Sequence, residues 1–146
     1  ERIYADLLSV SVTTGGGYNY TLVIEREARG GVGNRSRDGL VVISQSSSTT
    51  LESSSQFKAI MAIFDCTIFS HQSDTDSTDW ITKANRMAGD LSKALLVDPT
   101  RNGLANDTII DQHMIESDDE TAMTIARLQI QINFDHLWNN PFSGRA

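Results

Sequence analysis

Hydrophobic and polar positions alternate most cleanly near the end of the chain. Ala122, Thr124, Ala126, Leu128, Ile130, Ile132 and Phe134 form one set, and Met123, Ile125, Arg127, Gln129, Gln131, Asn133 and Asp135 the other. A period of two puts these sets on opposite faces of a strand, one greasy and one largely polar. Residues 57–72 are apolar on both alternating sets, which predicts a central strand with something packed on each face of its sheet. Between these two strands the period changes. Trp80, Ala84, Met87, Ala88, Leu91, Ala94 and Leu95 recur at helical spacing, which predicts an amphipathic helix over about 78–96. Asp74, Asp76 and Asp79 precede it as N-cap and first-turn acids, and Asp98-Pro99 ends it, because proline steers the residue before it out of the α region.

Other segments carry weaker patterns. Ile3, Leu7 and Leu8 lie on one stripe and predict a short N-terminal helix within residues 2–12, limited by Gly15-Gly16-Gly17. Residues 18–28 alternate and read as a half-buried strand, and residues 40–43 as its return strand across a glycine-rich hairpin tip. Residues 44–56 are dominated by serine and threonine, which bury little and compete for backbone hydrogen bonds, so a flexible loop is expected there. Residues 108–115 form a further strand and residues 116–120 an acidic turn. The expected fold is a single α+β domain over residues 1–146. It has a mainly antiparallel sheet of about four to five strands, a long helix on one face, a short N-terminal helix, and flexible loops at about 30–39 and 44–56.

Charge and chemistry narrow the function classes. A net charge of −7 argues against gripping a phosphate backbone, and Arg29, Arg35 and Arg37 make the only local basic cluster. No apolar run approaches the length of a membrane helix, and nothing visible resembles a cleavable signal peptide, although the start at Glu1 leaves room for residues in front of it. Cys66 is the single cysteine and lies within an apolar strand pattern, so it reads as a small buried hydrophobe. There is no G-x-S-x-G and no phosphate-loop motif. His71, His113 and His136 stand among ordinary polar neighbours at strands or strand ends. Asp74, Asp76 and Asp79 lack the glycine and glutamate of a calcium loop, since Asp79 and Asn85 stand at those positions. Asp118, Asp119 and Glu120 read as a solvated turn. No catalytic residue, cofactor or metal site is expected.

Residues 57–142 resemble tail terminator and tail completion proteins of long-tailed bacteriophages. The likeness rests on the helix through Ala88, Leu91, Ala94, Leu95 and Leu96 into Asp98-Pro99-Thr100, and on the Asn102-Gly103-Leu104-Ala105 turn. It continues in the alternating strand Ala126 to Phe134 and the Asn140-Pro141-Phe142 ending. The resemblance implies a non-enzymatic virion subunit without cofactor. Copies form a ring, typically of six, on the tail tube, stop its polymerisation and face the neck or head-completion proteins. DNA passes through the channel without specific binding, and no membrane is involved. Such a protein is assembled in the cytoplasm of the host bacterium and resides in the virion. Trp138, Asn140, Pro141 and Phe142, with Arg35 and Arg37, are the candidate interface residues. Another neck or tail-tube subunit, or a non-viral binding module or small enzyme, is the alternative.

Overall fold

The computed structural model describes residues 2–14, 16–26, 38–53, 57–71, 79–118, 123–137 and 140–144. In chain order its elements are α1 (Arg2–Leu8), β1 (Val23–Arg26), β2 (Leu40–Ser53), β3 (Phe57–His71), α2 (Trp80–Leu95), β4 (Asp107–Asp118), β5 (Met123–Leu137) and β6 (Asn140–Gly144). This is a mixed α/β architecture. Its single six-stranded sheet runs β1-β2-β3-β5-β4, with β6 added to β5.

The sheet is built around β3 and β5, which pair antiparallel along their whole lengths from Phe57↔Leu137 to His71↔Met123. Their in-phase residues Ala62, Phe64, Cys66, Ile68, Ala126, Leu128, Ile130 and Ile132 are buried in one cluster with Ala84, Met87, Ala88, Leu91 and Leu95 of α2. Burial of this shared surface is what holds the helix on the sheet. Trp80 lies outside the buried stripe, 40% exposed at the first turn of the helix. α1 adds to the same side: Tyr4 meets Phe64 edge-on at 5.4 Å and its hydroxyl donates to the Ile43 carbonyl.

Both faces were expected to be covered, and the described helices lie on one of them. Among the described residues both helices contribute to the core on one face. On the other, Met61, Ile63, Thr67 and Ile125 are half-buried while Asp65 and Arg127 are exposed. A second small cluster of Leu40, Val42, Phe69 and Met123 closes one end of that face.

Four further expectations are corrected. Residues 44–53 belong to β2, paired with β3 through two register shifts, rather than to a loop. A neighbouring ladder supplies the backbone partners that serine and threonine otherwise seek locally. Residues 40–43 do not return from a hairpin, because β1 and β2 are parallel. Of the expected strand over 18–28 only Val23–Arg26 pairs in the sheet. Residues 116–118, expected in a turn, extend β4 against β5.

Asp79 takes the N-cap position of α2 and its carboxylate accepts from the Thr82 amide at 3.4 Å. Asp74 and Asp76 lie outside the described residues. Asp79→Ala is expected to cost about 1 kcal/mol, the usual value for a lost cap, measurable by urea denaturation. A change below a few tenths of a kcal/mol would show that the cap is idle.

Candidate functional site

Three charged side chains that the sequence reading passed over are buried: Lys83 at 4%, Asp90 at 5% and Arg101 at 2% exposure. Each ties an irregular segment to α2. The Lys83 ammonium donates to the His71 carbonyl at 2.6 Å and to Asp38 at 3.0 Å, while the His71 amide donates to the other oxygen of Asp38 at 2.9 Å. The helix start, the end of β3 and the entry to β2 thus meet at one ammonium. Gly39 follows in a left-handed conformation (φ 79°), and a Cβ there would stand 2.7 Å from the Thr21 carbonyl oxygen. Asp90 accepts from the amides of Asn19 and Tyr20. Arg101 donates to the carbonyls of Leu95 and Asp98 and stands 3.4 Å from Asp6 of α1. The spacing held a signal: Lys83, Met87, Asp90 and Ala94 lie four, three and four residues apart, on one helical face.

Each of these charges has structural partners among the described residues. An open depression of about 230 Å³ is lined by Asp6, Asp98 and Arg101 among others, but two carboxylates against one committed guanidinium leave no excess positive charge for an anion. Asp98 is held below the usual carboxylate range, first by the Thr100 hydroxyl and then by the Asn102 amide. Its folded pKa is depressed, so its contribution is present above the ordinary value of about 4 and is lost as pH falls through the lower folded value. Cys66 is buried, and burial followed by the nearby Asp65 pushes its thiol far up, which leaves it protonated and unreactive. Among the described residues no group of three or more His, Cys, Asp or Glu is placed to hold a metal ion. Among them, too, no helix is long and apolar enough to cross a membrane.

The surface features that invite a partner are the sheet edges. At one edge runs β4, whose neighbour in the sheet among the described residues is β5. Asp107, Asp111, Met114 and Glu116 are exposed along it, and Ile109 is 40% exposed. Glu116 lies 3.7 Å from Arg127 on β5, a solvated pair that contributes little. At the other edge, β1 pairs with residues 40–43 of β2, and among the described residues no strand covers the rest of that edge.

Of the candidate interface residues, the structure describes three. Asn140, Pro141 and Phe142 lie in β6, which pairs with His136 and Leu137 of β5. β3 occupies the other side of Leu137, so β6 extends the β4 edge. A proline is tolerated at such a position because an edge strand has an amide that no ladder needs. Trp138, Arg35 and Arg37 lie outside the described residues. Comparison with known proteins yields no matching family model and no matching curated protein.

Proposed function

We propose that this chain is a structural virion protein that forms a ring at the head-proximal end of a phage tail tube, ends tube polymerisation and joins the tail to the neck. The observation that carries the reading is one sheet whose two opposite edges, among the described residues, have no further strand over residues 44–53 of β2 and along β4. A surface on one side that fits a different surface on the other makes a head-to-tail contact, and such contacts close into rings when the rotation allows. The resemblance over residues 57–142 supports the same reading, as does the presence of Asn140, Pro141 and Phe142 on an edge strand. In this reading six copies surround a channel, and a net charge of −7 lets DNA slide through by like-charge repulsion. Its other partners are the tail tube protein and a neck or head-completion protein.

A specific observation favours a second reading, a tail-tube subunit: β2, β3 and β5 are 14, 15 and 15 residues long, a strand-rich layout suited to a tube wall. Light scattering with negative-stain imaging separates the two. Closed rings near six subunits are expected; extended tubes would favour the second reading. A monomer that also ignores purified tail tubes would overturn both. Trp138→Ala/Phe142→Ala is expected to abolish assembly, at a cost of 2 kcal/mol or more per subunit contact typical of aromatic anchors (order of magnitude, about 2–4), while leaving a folded monomer by circular dichroism. Unfolding instead would assign the aromatics to the chain's own core.

A further inference from the structure

The two sheet edges differ in chemistry. Gln45, Ser46, Ser47, Ser48, Thr49 and Thr50 are all exposed, and among the described residues nothing pairs with the outer side of residues 44–53. This stretch lacks the lysine and proline that usually blunt an edge, and presents neutral hydroxyl donors. Over residues 107–111 the β4 edge presents carboxylate acceptors instead, at Asp107 and Asp111. Pairing of β4 with another β4 would set acids against acids, which is unfavourable, whereas a serine and threonine strand brings donors to them.

Direction and level also agree. Because β2–β3, β3–β5 and β5–β4 are all antiparallel, β2 runs opposite to β4. A second copy placed alongside in the same orientation therefore brings its β2 antiparallel to β4 of the first. The levels follow from the register: Ser44, Asp65, Gln129 and Asp111 are in line across the sheet, as are Thr49, Met61, Asn133 and Asp107. Residues 44–49 of one copy thus meet residues 107–111 of the next. Residues 40–43, already covered by β1, stand at the level of residues 113–116 and stay out of the contact.

We propose that residues 44–49 of β2 in one copy add as an antiparallel strand to residues 107–111 of β4 in the next copy, so that one sheet runs from subunit to subunit. This rests on the ring reading and names the strands that make its interface. Ser47 and Ile109 are in line through Ile63 and Gln131 and share a face of the sheet, which makes them the positions to link. The test uses the full chain as Ser47→Cys/Ile109→Cys with a short bismaleimide, the native Cys66 being buried and unreactive. A covalent ladder from dimer upward is expected for the double variant. Either single variant alone is expected to stay uncrosslinked, and a mixture of the two to stop at dimer. Dimers from Ser47→Cys alone would overturn the proposal in favour of a two-fold β2–β2 contact. Rings in negative stain without any crosslink would overturn the strand pairing and leave the ring standing. A ladder without closed rings would uphold the pairing and overturn the ring. Neither ladder nor rings would overturn both.

Discussion

Arg101→Ala is expected to lower stability by about 2–4 kcal/mol, read as a shift of the urea midpoint or a fall of roughly 5–15 °C in Tm. The side chain is 2% exposed and joins three segments: the Leu95 carbonyl at the end of α2, the Asp98 carbonyl in the following turn, and Asp6 of α1 at 3.4 Å. The last carbonyls of a helix have no partner within it, so a buried guanidinium that accepts this task replaces water. Burial lowers the pKa of Arg101 from its ordinary value, and Asp6 and Asp98 offset only part of this. It remains a cation at any pH where the protein is folded. Truncation removes a charge-assisted anchor and leaves the carbonyls and Asp6 without it, which costs more than the net value of the bonds. Arg101 also has a positive φ of 49°, a conformation disfavoured for any residue with a Cβ. Arg101→Gly is therefore expected to lose about 1 kcal/mol less than Arg101→Ala. Equal losses would show that backbone strain plays no part, and a loss below about 1 kcal/mol for alanine would show that the clamp is dispensable.

What was legible in the sequence is what depends on local period. β5 and α2 each carry a pattern that only one element satisfies, and their observed bounds, Met123–Leu137 and Trp80–Leu95, fall close to the expected ones. β2 was not legible over residues 44–53, because its strand state comes from pairing with β3 and not from its own local pattern. The apolar run of β3 templates it, and serine and threonine merely comply. The segment at residues 18–22 shows the reverse case. Its alternation suits a strand, yet the amides of Asn19 and Tyr20 turn to the Asp90 carboxylate. The parallel pairing of β1 with β2 was also out of reach, since nothing local distinguishes a return strand from one reached by a crossover.

The interface candidates were legible only in part. Asn140, Pro141 and Phe142 stand in β6 on the β4 edge, whereas the exposed carboxylates of β4 and the exposed serine and threonine edge of β2 were not singled out. An edge exists only once the strand order is known, and strand order is a property of the whole chain. Lys83 and Asp90 were missed for a related reason. Polar residues on an otherwise apolar face look like interruptions until the loops that they hold are placed.

Asp90→Ala is expected to cost about 2–3 kcal/mol and to release residues 16–21 from α2. One oxygen of the carboxylate accepts from the backbone amides of Asn19 and Tyr20 at 2.8 and 2.9 Å, and the other from the Asn19 side chain at 3.2 Å. Bonds to a charged acceptor contribute about 1.5–3 kcal/mol each when both partners are dry, and Asn19 is exposed, so the sum stays near the value of one or two of them. Two ring contacts depend on the same anchoring: Lys93 sits 5.2 Å from the Tyr18 ring and Lys83 5.7 Å from that of Tyr20. Asp90→Asn separates charge from shape. Its carbonyl oxygen is able to accept both backbone amides, and the Asn19 carboxamide can turn to meet the new amide, so a loss of only about 1 kcal/mol is expected. Hydrogen exchange gives the local readout: protection of the Asn19 and Tyr20 amides should fall in Asp90→Ala and largely survive in Asp90→Asn. If asparagine is as damaging as alanine, the negative charge itself holds the segment. If neither variant changes exchange at these two amides, the segment is fixed by the packing of Tyr18 and Tyr20, and the buried carboxylate is not its anchor.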